Sequence, residues 1–106
     1  MPANIRKLLK ELKQGLIRLY GERLKGVYLY GSYARGDYEE GSDVDVMVVL
    51  DGYNNYWAEL KRTSELVGNV SLDYEITVSR IIMTEEQWLH ADTPLLRNVR
   101  VQGRPA

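Results

Sequence analysis

The chain has 106 residues, 44% hydrophobic and 27% charged, with a formal net charge of −1; that suits one folded domain over residues 1–106 and excludes a disordered or low-complexity chain. It has no cysteine, which excludes disulfides, thiolate metal sites and cysteine nucleophiles, and one histidine, His90, which excludes any mechanism needing two. No apolar run approaches the roughly 18 residues of a membrane span, and the N-terminal segment is charged rather than signal-like, so a cytoplasmic setting is expected.

Residues 4–24 read as an amphipathic helix, with Ile5, Leu8, Leu9, Leu12, Leu16, Leu19 and Tyr20 at helical spacing and Arg6, Lys10 and Lys13 on another face. Residues 27–30 read as a short strand that Gly31-Ser32 ends abruptly, and a polar, glycine-marked stretch runs on to Ser42. Residues 44–50 form a second, valine-rich strand, followed by the turn signal Asp51-Gly52. Asn54 or Asn55 is a candidate cap for a helix through Trp57, Leu60, Leu66 and Val67, closed by Gly68-Asn69. Residues 70–78 then alternate as a third strand, with Leu72, Tyr74, Ile76 and Val78 on one face and Ser71, Asp73, Glu75 and Thr77 on the other. Thr84 opens a short helix with Glu85 and Glu86 in its first turn, and Thr93-Pro94 opens a last helix that ends near Gly103. Trp57 and Trp88 fall at core spacing, Tyr33 is expected to pack, and His90 to lie at a helix end. A chain of this length has little surplus surface to bury, so a homo- or hetero-oligomer is expected.

The charges are segregated. Thirteen acidic and three basic residues lie between Asp37 and Asp92, whereas eight basic and two acidic residues precede them. Arg97, Arg100 and Arg104 follow. An acidic middle repels a polyanion, so direct nucleic-acid binding is not expected.

The informative residues flank the polar loop. Asp43 and Asp45 are two apart at a strand start, where alternation puts both carboxylates on one face, a hard oxygen site suited to Mg²⁺. Gly31 lets a phosphate approach the backbone closely, and Ser32 with the amides after it offers donors to phosphate oxygens. Arg35 is placed to meet a phosphate, to contact an acceptor protein, or to pair locally with Asp37 or Glu39. Phosphate donors at one strand end and metal ligands at the next are the minimum apparatus for metal-assisted phosphoryl or nucleotidyl transfer.

Gly31-Ser32, ten residues, then Asp43-x-Asp45 resembles the signature of the polymerase-beta-type nucleotidyltransferase superfamily. The fuller string GSYARGDYEEGSDVDVMVVL resembles the minimal nucleotidyltransferases paired with HEPN-domain proteins, and TPLLRNVRVQGRPA is similar to the C-termini of that group. The resemblance implies an α/β (α+β) fold, a small mixed sheet with helices packed on one side. It implies that Asp43 and Asp45 bind two Mg²⁺ ions bridging the triphosphate of ATP, that Gly31 and Ser32 hold phosphates, and that a third carboxylate comes from a later strand. Glu75 is favoured for that role, with Asp73 the alternative. The implied activity is transfer of AMP from ATP to a partner protein, a HEPN-family ribonuclease toxin modified on a tyrosine hydroxyl, which would make this chain the antitoxin. Two other readings stand beside it. One is a binding module that neutralises its partner by complex formation alone. The other is a small-molecule nucleotidyltransferase of the antibiotic-modifying kind.

Overall fold

An apolar stripe on the first helix organises the core. In the computed structural model, which describes all residues from Met1 to Ala106, α1 (Ala3–Tyr20) buries Ile5, Leu8, Leu9, Leu12, Leu16 and Tyr20, while Ile17 and Leu19 between them stay exposed. A 3-10 turn (Gly21–Arg23) takes the place of the expected last helical turn, and β1 (Leu24–Tyr30) begins directly after it. Next come α2 (Ser32–Arg35), β2 (Val44–Leu50), α3 (Tyr56–Tyr74), β3 (Val78–Thr84), α4 (Glu85–His90), α5 (Pro94–Gln102) and the two-residue β4 (Arg104–Pro105). The strands form one mixed sheet in the order β3-β2-β1-β4. β1 is antiparallel to β2 and β4, and β2 is parallel to β3 through the α3 crossover.

β2 is buried on both faces, which explains its run of apolar residues. Val44, Val46, Val48 and Leu50 join α1, α3 and the inner residues of β1 in the larger core. Met47 and Val49 pack with Met83, Leu96 and Val99 in a smaller core on the other face. The two long helices thus share one side of the sheet, while the short helices α4 and α5 cover part of the other, where the resemblance implied helices on one side alone. Where α1 meets α3, a β-carbon on Gly15 would stand 2.4 Å from a methyl of Leu66, so the helices approach closely there. Tyr20 closes the far end of the core. Its hydroxyl donates to Glu59 Oε1 at 3.0 Å, and burial followed by the Glu59 charge pushes its pKa up to about 12.

The third strand departs from the sequence reading. Residues 70–74 are helical, and β3 starts only at Val78. Thr63, Val67 and Val70 continue the buried stripe of α3 through Gly68, and that packing outweighs the roughly 1 kcal/mol by which glycine disfavours a helix interior. The apparent alternation of residues 70–78 is accidental, because Leu72 is 77% exposed. Trp57 is likewise no core residue, being 76% exposed in the first turn of α3. Trp88 does pack, stacking on Tyr28 with ring centroids 4.5 Å apart.

The true helix stop is Glu75. It takes a left-handed conformation, φ 54°, ψ 38°, with its amide bonded to Leu72 O and the amide of Ile76 to Ser71 O. That cap geometry favours glycine, and an L-residue there costs about 1–2 kcal/mol. Glu75→Gly is therefore expected to raise stability by about 0.5–1 kcal/mol in urea denaturation. A lower midpoint would show that the glutamate side chain contributes more than its backbone conformation costs.

Candidate active site

The site forms where β1 ends beside the start of β2. The register sets Tyr30 opposite Asp45, and side-chain alternation puts Asp45, Met47 and Val49 on the α5 face of the sheet. After Tyr30 the chain turns through Gly31 at φ 76°, and the short helix α2 begins at Ser32. A β-carbon on Gly31 would lie 2.3 Å from Asp45 Oδ2, so only glycine admits the carboxylate here. Asp43, Asp45, Ser32 and Arg35 border an open cleft of about 430 Å³ together with Tyr30, Gly31 and Ser42. The opposite wall is α5, which contributes Leu95, Asn98, Val99 and Gln102.

The cleft is electrostatically unbalanced. The ion pairs of the structure are Arg23–Asp51, Arg35–Asp37, Arg62–Glu59 and Arg97–Asp92, none of which includes Asp43 or Asp45. Burial raises the pKa of Asp45, the Asp43 charge raises it further, and Arg35 offsets part of this. Burial and then the Asp45 charge push the Tyr30 hydroxyl up to about 12. Arg35 makes the local pair that its sequence position allows. It pairs with Asp37 at 3.2 Å and still lines the cleft. Tyr33 is buried and stacks on Tyr38 at 4.6 Å, a packing role.

The expected third carboxylate does not arrive. Asp73 lies on α3 and Glu75 at its cap, neither lines the cleft, and no third His, Cys, Asp or Glu stands with Asp43 and Asp45. The cause is the misplaced strand. β3 runs beside β2 with Ser79 as the register partner of Asp45. Val78 and Ile82 join the larger core while Ile81 and Met83 face the smaller one, so Ser79 is on the Asp45 face. The residue beside Asp45 on that strand is therefore a serine, which itself lies outside the cleft lining. His90 is exposed at the end of α4. Arg97 is held by Asp92, and Arg100 donates to the carbonyls of Trp88 and Ala91. Sequence reasoning missed Tyr30 and the α5 wall. Strand alternation with the β1–β2 pairing would have given Tyr30. The position of α5 depends on long-range packing that no local spacing encodes.

Residues 5–103 match the nucleotidyltransferase domain family, and the chain belongs to it. A protein of Methanocaldococcus jannaschii named "Putative protein adenylyltransferase" is 34% identical over 102 residues, 95% of this chain and 96% of that protein. Among solved structures, a toxin–antitoxin crystallised with AMP-PNP is 24% identical with a TM-score of 0.62, covering 89% of this chain and 68% of that one. A tri-AMPylated HEPN toxin of Shewanella oneidensis in complex with its MNT antitoxin is 20% identical with a TM-score of 0.53, covering 91% and 69%. These two structures share the fold. The chain is a nucleotidyltransferase, built on the mixed sheet that its sequence led us to expect.

The state of Asp45 makes a prediction about pH. Its folded-state pKa lies above the unfolded value, so the folded form holds its proton more tightly. The resulting stabilisation is fully present below the ordinary carboxylate pKa and is lost as pH rises through the raised one. At neutral pH, with metals chelated, the charged carboxylate burdens the fold. Asp45→Asn is expected to melt above the unmodified chain at pH 7, with the gap closing toward pH 3. Thermal melts across that range test this, and a lower melting temperature for the variant at pH 7 would contradict it.

Proposed function

We propose that this chain transfers AMP from ATP to a hydroxyl of a partner protein, that Mg²⁺ is required, and that the partner is a HEPN-family toxin which the modification neutralises. The observation that carries this reading is the pair of unpaired carboxylates, Asp43 and Asp45, in a cleft shared with Ser32 and Arg35. The adenylyltransferase name of the archaeal relative and the AMPylated toxin in complex with an antitoxin of the same fold support the choice of nucleotide, acceptor and partner.

The residues fit a divalent cation. Two hard oxygen ligands stand outside any ion pair, and burial followed by the neighbouring Asp43 charge makes Asp45 resist ionisation. Asp43 and Asp45 would hold the metal, with Gly31 leaving room for the Asp45 carboxylate. Bound Mg²⁺ supplies charge neutralisation for the triphosphate and lowers the pKa of a nearby hydroxyl. Ser32 and Arg35 orient the phosphates from the α2 side. In the overall transfer, a bond forms between the acceptor oxygen and the α-phosphorus, the bond to the β-phosphate oxygen breaks, and pyrophosphate leaves with the acceptor's proton passing to solvent. The walls of the cleft set the approach of the reacting groups.

The absence of a third carboxylate favours one second reading, a weakly active chain that neutralises its partner by complex formation. Incubation with labelled ATP, Mg²⁺ and the HEPN protein separates the two. Label on the partner, lost by about a hundredfold or more in Asp43→Asn with Asp45→Asn, is the expected result. Full neutralisation by that double variant without label would establish the second reading instead.

Ser79 offers an independent check on the metal site. Ser79→Asp adds a third carboxylate to the strand beside Asp45, and it is expected to raise Mn²⁺ affinity about tenfold in calorimetry. An unchanged affinity would mean that the cation is not held against the Asp45 side of the cleft.

A further inference from the structure

The far wall of the cleft carries chemistry that phosphate and metal binding do not use. Leu95, Asn98 and Gln102 line it and fall on one stripe of α5, three and then four residues apart. The adjoining stripe, Leu96 and Val99, is buried against the sheet in the smaller core, so the helix cannot roll. The Thr93 side chain accepts from the Leu96 amide at 3.2 Å, Arg100 donates to Ala91 O at 2.8 Å, and the Gly103 amide bonds Val99 O at 2.7 Å. These contacts fix both ends of the helix. The side-chain hydrogen bonds of α5 and its cap are made by Thr93, Arg97 and Arg100, which leaves the amides of Asn98 and Gln102 without an internal partner. Two free amides on a rigid wall, facing a phosphate and metal wall, are placed as a reading head.

We infer that Asn98 and Gln102 contact the base of the nucleotide and select adenine, with Leu95 as the apolar surface against its ring. This rests on the reading of the cleft as a nucleoside triphosphate site. Ser32, Arg35 and the two aspartates occupy one wall, so a nucleotide bound there by its phosphates directs its base to the other. An amide side chain presents one acceptor and one donor fork, which matches the N6 amino group of adenine and its neighbouring ring nitrogen. Guanine presents O6 and N7, two acceptors, and calls for arginine or lysine. No cation is available on this wall, since Arg97 is held by Asp92 and Arg100 by backbone carbonyls. Cytosine offers a donor and acceptor pair too, but covers less of Leu95 with its single ring.

Calorimetry with Mg²⁺ and non-hydrolysable analogues of ATP, GTP and CTP tests this, with inorganic tripolyphosphate as a probe of the phosphate wall alone. The unmodified chain is expected to bind the adenine analogue about tenfold or more tightly than the guanine one. Asn98→Leu and Gln102→Leu should each cut that ratio several-fold while tripolyphosphate affinity stays unchanged. Gln102→Arg should move the preference toward guanine. Both positions are exposed, and melting temperatures within a few degrees of the unmodified chain will show that the variants fold. Tripolyphosphate binding with base ratios that ignore all three substitutions would overturn the inference and leave the nucleotide reading intact. Failure of the unmodified chain to bind either tripolyphosphate or any nucleotide would overturn both.

Discussion

The Asp45 carboxylate lies so close to the turn after β1 that a β-carbon on Gly31 would stand 2.3 Å from its Oδ2. The same residue carries a positive φ of 76° that turns the chain from strand into α2. One glycine thus meets two demands that no other residue satisfies together, a left-handed turn and room for a charged group. The arrangement of the cleft follows from that contact. With Tyr30 opposite Asp45, the turn brings Ser32 and Arg35 to the border of the cleft that holds both carboxylates. A side chain at Gly31 would force the Asp45 carboxylate to move and would strain the backbone at this positive φ.

Such a contact is unfavourable by itself, because it holds Asp45 partly buried beside Asp43 with no paired cation. It persists because β2 is anchored along its whole length. Val44, Val46, Val48 and Leu50 are fixed by the core of α1 and α3, and Met47 and Val49 by the core under α5. Strain and repulsion gather at the end of an otherwise well-packed strand, where local rules give way to function.

The sequence was legible wherever one element carried its own pattern. The α1 stripe apart from the exposed Leu19, the valine run of β2, the Thr84 and Thr93 caps and a cap at Asn54 or Asn55, which falls to Asn55, were legible because each depends on neighbours a few residues away. Residues 70–78 misled because two periods were superposed. Val67 and Val70 belong to a helical stripe, whereas Leu72 and Ile76 mimic alternation, and Gly68 looked like a terminus. The decision between them was made by packing against α1 and the sheet, not by local propensity. That single slip moved Glu75 onto a strand, although it is a helix cap, and hid Ser79, the residue beside Asp45.

The two walls of the cleft rest on different foundations. The sheet wall ends strands whose inner residues sit in the large core, so a change there is felt through α1 and α3. The α5 wall is held by the small core of Met47, Val49, Met83, Leu96 and Val99, and its cleft-facing residues Asn98 and Gln102 are exposed and take no part in that packing. Substitution at those two positions changes what the cleft presents without disturbing what holds it together. The carboxylates and Gly31 have no such freedom, because their positions depend on one another. A fold built this way keeps the chemistry of one wall constant while the other wall is free to vary with the ligand it meets.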